Sequence, residues 1–494
     1  MDAIARLLEL SRSLRHLSCV LEFLDWDAQV GAPSRSLAGR GAQAAELQSI
    51  IHKKLTSRRL QGYLAEASAD PRAAHYPHKQ MLRFFRRECE REAQIPSSYV
   101  RKHAELCVAA QQAWGEAHKK NDFAIFAPYL ERMFSDARAY SGFFDADHIY
   151  TPLLDRFEPG FSAVACEKII ADLRAPQVAL VQRALGSSQG EAILARTFNV
   201  SGQKRLSRTA AKLLGFDFNA GRIDTSMHPF TSTCGVHDVR ITTHYRRDLS
   251  SLFSTLHEAG HALYEQNVGE EIIDTLHGAP ASLVLHESQS RLWENMVGRS
   301  EEFLGFLWRY MVKYFPRELD GVTAEAFTAA ANRVSPGAIR VDADEATYNL
   351  HIMLRFELEL ALLRREIKVA ELPAIWREKM RDYLGITPAT DTDGVLQDIH
   401  WSCGLIGYFP TYLLGNLAAA QFWCSAGKAL PDLRKALAEG NTKPLRNYLI
   451  DNIYRHGGLY DSGEVIEAAT GAGISSSAYL AYLNDKLSRF YPGA

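Results

Sequence analysis

Apolar residues recur at three- and four-residue steps through most of the chain. The opening "AIARLLELSRSLRHLSCVLEFL" carries its leucines at this spacing, which gathers them on one face of a helix. "AGRGAQAAELQSIIHKKLTSRRLQGYLAEA", "HKQMLRFFRRECEREAQ" and "SYVRKHAELCVAAQQAWGEAHKK" repeat the period, with polar faces between apolar stripes. One region breaks it. Between Phe218 and Tyr245, "FNAGRIDTSMHPFTSTCGVHDVRITTHY" has Gly, Pro, Ser and Thr around short β-branched runs, and "VRITTHY" alternates as a strand does. This predicts a small antiparallel ribbon, entered after a helix containing "SRTAAKLLGF". Asp248 then stands where it would cap a long helix with an apolar stripe of Leu252, Phe253, Leu256 and Leu263.

Further on, "AIRVDADEATYNLHIMLRFELELALLRREI" predicts a short extended piece and then a helix of about twenty residues. "DTDGVLQDIHWSCGLIGYFPTYLLGNLAAAQFW" mixes a glycine-rich turn with aromatic helical segments, and the chain ends in helices. No repeat of solenoid length is visible. The weakest joints are "GSSQGEA" at 186–192 and "TGAGISSS" at 470–477. The expectation is a mainly α fold with one small sheet, continuous over residues 1–494 as a single domain of two lobes beside a groove.

Composition narrows the function classes. The chain has 494 residues, 47% hydrophobic, with a formal charge of −2. A near-neutral balance gives no reason to expect nucleic acid or an anionic membrane as partner. Seven scattered cysteines, an odd number without C-x-x-C spacing, argue against a disulfide framework and fit a reducing compartment. The charged opening has no signal-peptide core, and "FYPGA" matches no retention or lipidation signal, so a cytoplasmic location is expected.

The candidate chemistry sits in "LFSTLHEAGHALYEQ", residues 252–266. His257 and His261 are four apart on the predicted helix and so share a face, from which both imidazoles can reach one zinc ion. Glu258 lies beside that ion, where a carboxylate can take a proton from water and pass it to a leaving amine. A catalytic zinc wants a third protein ligand. Tyr264 and Asn267 stand where a third-histidine motif would need glycine and histidine. A glutamate from a following helix is the alternative: Glu287 in "LHESQSRLWENMVG", reached after a turn at Gly278-Ala279-Pro280, with Glu294 as its rival. His228, His237, His244, His277 and His286 crowd the neighbourhood and point to a polar cavity around the ligands.

Six stretches then occur in a fixed order: "MHPF", "DVRIT", "HEAGH", "HESQ", "IRVDAD" and "GVLQDIHW". They resemble the HPF, DxRxT, HExxH, HES-Q, IRxxAD and GxxQDxHW motifs of the Taq-type thermostable metallocarboxypeptidases. "LDWDAQVGAPSRSLAGRGAQAAEL" and "YTPLLDRFEPG" extend the likeness upstream, with Ala32 where the family commonly has methionine. The resemblance implies a zincin-like (gluzincin) helical fold with a deep groove, usually homodimeric. It implies a carboxypeptidase of broad preference that removes single C-terminal residues from peptides. It makes His257, His261 and Glu287 the metal ligands, Glu258 the general base, and Arg340 the anchor of the substrate's terminal carboxylate. Zinc is the implied metal, with cobalt able to substitute or activate.

A guanidinium suits such an anchor because it grips a carboxylate with two parallel hydrogen bonds. Arg340 precedes a helix, with Asp342 and Asp344 as alternative partners; Arg240 is second, with Asp238 on its strand face as a structural partner. Charge on the attacked carbonyl needs further donors, for which His228 and Tyr408 are chosen. His400 is expected to support the substrate side. The runner-up is an endo-acting zinc oligopeptidase; a helical peptide-binding scaffold with an inert site comes behind both.

Overall fold

The computed structural model of the chain describes residues 2–185 and 191–491. The joint expected at 186–192 lies mostly outside them, as do the last three residues of "FYPGA". The described residues are mainly helical, with one three-stranded sheet. They group into two compact units, each assembled from three segments. The first comprises Met1–Ala93, Gly190–Ala331 and Gln421–Gly473; the second comprises Gln94–Gln189, Asn332–Ala420 and Ile474–Ala494. The second expected joint, 470–477, contains one of these boundaries.

The first unit opens with the helix Ala3–Val30, where the leucine spacing predicts one. Asp2 caps it by accepting the N–H of Ala5 at 2.9 Å. Its Ile4, Leu7 and Leu14 are buried with Leu60, Leu64, Met81, Leu82 and Phe85 of the helices that follow. The sheet lies between the helices Val200–Leu214 and Ser250–Glu265 in sequence. Its strands are β1 (Gly221–Thr225), β2 (Thr231–Gly235) and β3 (Asp238–Thr243), in the order β1-β3-β2.

The pairing corrects the expected antiparallel ribbon. β2 and β3 form an antiparallel hairpin, but β1 pairs with β3 in parallel, from Gly221 opposite Val239 to Thr225 opposite Thr243. Two chain reversals bring β3 back in the direction of β1, and β3 fills the central place. β3 is paired along both edges, and the helix Ser250–Glu265 packs against it. Accordingly β3 alternates only at its start and is buried at Ile241, Thr242 and Thr243. Its end is tied to the next helix, since Thr243 Oγ1 donates to the Ser251 carbonyl at 3.3 Å. Asp248 accepts the Ser250 N–H at 3.0 Å, one residue earlier than the cap position at Leu249.

The second unit is built around the helix Glu345–Leu363. Asp344 caps it, accepting the N–H groups of Ala346 and Thr347 at 2.9 and 3.1 Å. Nearly every position is buried, as in a helix that runs through an interior. Its polar members Asn349, His351, Arg355 and Glu359 are buried too, so each requires a partner within the fold. The seven cysteines are free. Among the described residues, no helix is long and apolar enough to cross a membrane.

Candidate active site

The helix Ser250–Glu265 carries His257 and His261 on one face, with their ring centroids 4.9 Å apart. The chain then turns through Leu276–Gly278 and enters the helix Leu283–Arg291, capped by Ser282, whose Oγ accepts the Leu285 N–H at 3.2 Å. Glu287 lies on this second helix. The two helices can approach because residue 260 is glycine: a Cβ there would fall 2.7 Å from the Gln289 carbonyl oxygen and 2.7 Å from the Ser290 Cα. The middle of the H-E-x-x-H segment is thus a contact surface as well as a spacer.

The close approach brings three ligand atoms together. Nε2 of His257 lies 3.7 Å from Glu287 Oε2, and Nε2 of His261 lies 3.5 Å from the same oxygen. Both separations are long for hydrogen bonds. Ligand atoms about 2.0–2.1 Å from a tetrahedral ion stand about 3.3 Å from one another. The spacing therefore fits a shared cation, and His257, His261 and Glu287 are the group among the described residues that could hold one.

Further side chains fix this group. Arg291 Nε donates to Glu287 Oε1 at 2.6 Å, which leaves Oε2 turned to the histidines. Ser290 Oγ donates to Oε2 at 3.2 Å. Glu294, the rival ligand in the sequence, instead faces the other ring nitrogen of His257, with Oε2 3.0 Å from Nδ1. It lies in a π-helical turn, Leu292–Val297, the kind of widened turn that recurs at functional sites. Burial opposes ionisation of Glu294, yet the bond to His257 and the charges of Arg299 and Arg291 hold its carboxyl far below the usual range. Burial works against a charged His257 as well, but Glu287 and Glu294 raise it overall. Burial and the neighbouring histidines keep His261 neutral, the form a metal ligand needs.

Glu258 points toward the sheet. Thr231, the first residue of β2, donates its hydroxyl to Glu258 Oε2 at 2.7 Å. Burial pushes the Glu258 carboxyl above its ordinary value, against the charge of His257 and the Thr231 bond. Of the crowded histidines, His286 packs tilted against the ring of His261 at 3.9 Å and sits 2.8 Å from Glu265 Oε1. The other histidines have surroundings of their own. His277 packs edge-on to Phe84, His244 Nδ1 faces the Ser226 carbonyl at 2.9 Å, and His237 is exposed at positive φ in the β2–β3 turn. His228 is exposed in the bend after β1, its carbonyl accepting from Ser226 Oγ at 2.5 Å.

Arg340, His400 and Tyr408 gather in the second unit. Arg340 is 5% exposed. Its Nε and Nη2 donate to Asp398 Oδ1 at 3.0 and 2.8 Å, and Nη1 donates to Tyr348 Oη at 3.0 Å. Asp398 also takes Arg355 Nε on its other oxygen at 2.6 Å. The expected alternatives, Asp342 and Asp344, are not these partners: Asp344 is occupied by its helix cap. The Arg340 guanidinium lies over the Tyr412 ring at 5.1 Å. His400 Nε2 is 3.4 Å from Tyr412 Oη, and Tyr408 packs 5.5 Å from the His400 ring. Burial lowers His400 to about 4, against the charge of Asp398, so it is neutral at neutral pH. Arg240 makes the strand-face pair with Asp238, at 2.9 and 2.8 Å, and covers Trp26 at 4.2 Å.

Residues 6–487 match the family model described as Carboxypeptidase Taq (M32) metallopeptidase. The chain belongs to this family. It is 38% identical to Thermostable carboxypeptidase 1 of Thermus thermophilus, over 99% of either chain. It is 34% identical to Carboxypeptidase 1 of Bacillus subtilis, over 98% of this chain and 97% of that one. Among solved structures, the M32 carboxypeptidase from Deinococcus radiodurans superposes with a TM-score of 0.96 at 35% identity, over 99% of each chain. Metallocarboxypeptidase 1 of Trypanosoma cruzi gives 0.93 at 33%, with the same coverage.

Membership makes the chain a metallocarboxypeptidase, a peptide hydrolase that uses a divalent metal. Several partners of the candidate residues were not read in the sequence. Arg291 could have been found, since Glu287 and Arg291 are four apart on a predicted helix, a spacing that pairs charges. Thr231 had no local signal, and Asp398, though inside "GVLQDIHW", gave no sign of its pairing: they lie 27 residues from Glu258 and 58 from Arg340.

Proposed function

We propose that this chain is a zinc carboxypeptidase that removes single residues from the free C-terminus of peptides, with broad preference. The observation that carries the reading is the convergence of both histidine Nε2 atoms on Glu287 Oε2, at 3.7 and 3.5 Å. The metal held by His257, His261 and Glu287 supplies Lewis acidity toward water and the scissile carbonyl. Three nitrogen and oxygen ligands suit zinc, and cobalt is the expected substitute.

Glu258 is the general base. Its Oε1 is the atom that receives a proton from the attacking water and returns it to the leaving amine, because Oε2 already accepts from Thr231. Arg340 grips the substrate's terminal carboxylate. Its fork donates three of five N–H groups to Asp398 and Tyr348, so two remain for the substrate, and the Asp398 pair holds the guanidinium still. Arg240 is the secondary candidate, bound face-on by Asp238. Neutral His400 supports the substrate from beside Tyr412, and Tyr408 and His228 donate to the developing oxyanion.

The family match over residues 6–487 supports treating 1–494 as one metallopeptidase domain. Seven free cysteines support a cytoplasmic setting. The homodimer follows the family resemblance, and sedimentation at two protein concentrations tests it. No nucleic-acid or membrane partner is part of the reading.

A peptide ladder followed by mass spectrometry tests the whole. Free-acid peptides should shorten one residue at a time from the C-terminus, and C-terminally amidated copies should stay intact. Chelator should stop the reaction, and added zinc or cobalt should restore it. Internal cleavage of the amidated peptides would replace this reading with an endopeptidase.

A further inference from the structure

Sulfur, imidazole and carboxylate form a second array, which shares no residue with the candidate metal site. In the second unit the helices Ser97–Lys120 and Phe123–Ser141 pack together. His103 and Cys107, four apart on the first, share a face. Cys107 Sγ lies 3.5 Å from His103 Nε2, and the opposite ring nitrogen, Nδ1, lies 2.6 Å from Asp136 Oδ2. Tyr99 Oη donates to the same Asp136 oxygen at 2.7 Å, and its ring stacks on the imidazole at 5.7 Å. The Asp136 bond and then the Cys107 contact raise His103 to about 9, against burial, so the ring is charged at neutral pH. Sulfur and carboxylate lie on opposite nitrogens and do not converge on one point, so the array is unsuited to a metal. It is the arrangement that makes a thiol a nucleophile.

The array abuts a turn of the same unit. Gly404 follows the turn His400–Cys403 at φ +73. A Cβ there would lie 3.1 Å from Cys107 Sγ and 2.7 Å from His103 Cε1. The Gly404 carbonyl is fixed by Arg156 Nη1 at 3.1 Å. The sulfur therefore lies against the end of the turn that carries His400.

We propose that Cys107 is a site of thiol–disulfide exchange with low-molecular-weight disulfides, and that the adduct slows the peptidase by displacing the His400–Gly404 turn. In the exchange, Cys107 Sγ attacks one sulfur of the disulfide. The S–S bond breaks and its electron pair leaves with the other sulfur. That thiolate takes up one proton for the one Cys107 loses, so a thiol and a disulfide give a mixed disulfide and a new thiol. The first half of the proposal stands on the array alone; the second rests on the role given to His400.

Oxidised glutathione is the probe. The intact protein is incubated with it, and adducts are mapped over time by peptide mass spectrometry while turnover is followed. Cys424 is exposed and Cys107 is half-buried, so exposure alone predicts Cys424 first. The array predicts Cys107 first, by about tenfold, with a similar loss of rate in His103→Gln and in Asp136→Asn. Turnover should fall severalfold as Cys107 fills and return with reductant. Cys107→Ser should keep its activity and ignore the probe. Modification of Cys424 ahead of Cys107, or an unchanged Cys107 rate in both variants, would overturn the site. A filled Cys107 with unchanged turnover would overturn the coupling. Because adducts are read by mass, these outcomes are separate from a protein that lacks peptidase activity from the start.

Discussion

Nδ1 of His257 lies 3.0 Å from Oε2 of Glu294, while Nε2 of the same ring faces Glu287 Oε2 at 3.7 Å. The imidazole is held from behind by one carboxylate and aimed at the ligand group from the front. A proton kept on Nδ1 by Glu294 would free the Nε2 lone pair for a metal ion. Arg299 Nη2 donates to the other Glu294 oxygen at 3.0 Å, which keeps that carboxylate charged and in place.

Glu294→Gln keeps the shape and removes the charge. Metal affinity should fall by about 10- to 100-fold, the usual cost of losing such an outer partner. Competition with a chelator of known affinity measures it. Wild-type affinity in the variant would mean that Glu294 only balances Arg299 and Arg291.

Glu258→Gln should separate metal holding from chemistry. Glu258 is not in the ligand group, so bound metal should stay stoichiometric by elemental analysis. Turnover should drop by about 10²- to 10⁴-fold, the range that general base catalysis supplies. Near-normal turnover with normal metal content would remove Glu258 from the reaction.

How far the sequence carried depended on the range of each interaction. His257 and His261 were legible because spacing on a helix is local geometry. Glu287 needed a turn and a second helix, and the glycine and proline at 278–280 marked them. Glu294 was misread as a rival because seven residues make two α-turns; the π-turn Leu292–Val297 is wider, and the side chain faces the far nitrogen of His257. Asp398 was invisible as the partner of Arg340, since packing across 58 residues leaves no period. Nearby Asp344 looked eligible only because its cap role was unread. The parallel β1–β3 pair was missed likewise, because strand order is not written in alternation.

Gly260 carries a requirement that the H-E-x-x-H pattern leaves unstated. A Cβ at 260 would meet backbone atoms of Gln289 and Ser290 at 2.7 Å, and backbone yields less easily than a flexible side chain. Gly260→Ala should push the Leu283–Arg291 helix away, lowering stability by about 1–3 kcal/mol and carrying Glu287 out of reach of the histidines. Urea unfolding and chelator competition should both register the change. Unchanged values in both would show that the helices absorb the methyl group.

Glu359 gives the fold a pH dependence of its own. Its carboxylate is wholly buried and accepts from Tyr150 Oη at 2.5 Å, Trp401 Nε1 at 2.7 Å and the Gly407 N–H at 3.2 Å. Burial outweighs these three donors and raises the group from 4.5 to about 7. Below pH 4.5 both folded and unfolded chains hold the proton, and stability does not change on this account. Between 4.5 and about 7 only the unfolded chain releases it, so stability falls as pH rises through that window. The loss is complete above the folded value and amounts to about 3 kcal/mol. Glu359→Gln has no proton to release, so the difference between wild type and variant isolates this group from buried histidines such as His277 and His400. Urea midpoints taken from pH 5 to pH 8 should decline more steeply in the wild type than in the variant. Parallel curves would show that Glu359 ionises inside the fold as readily as outside it.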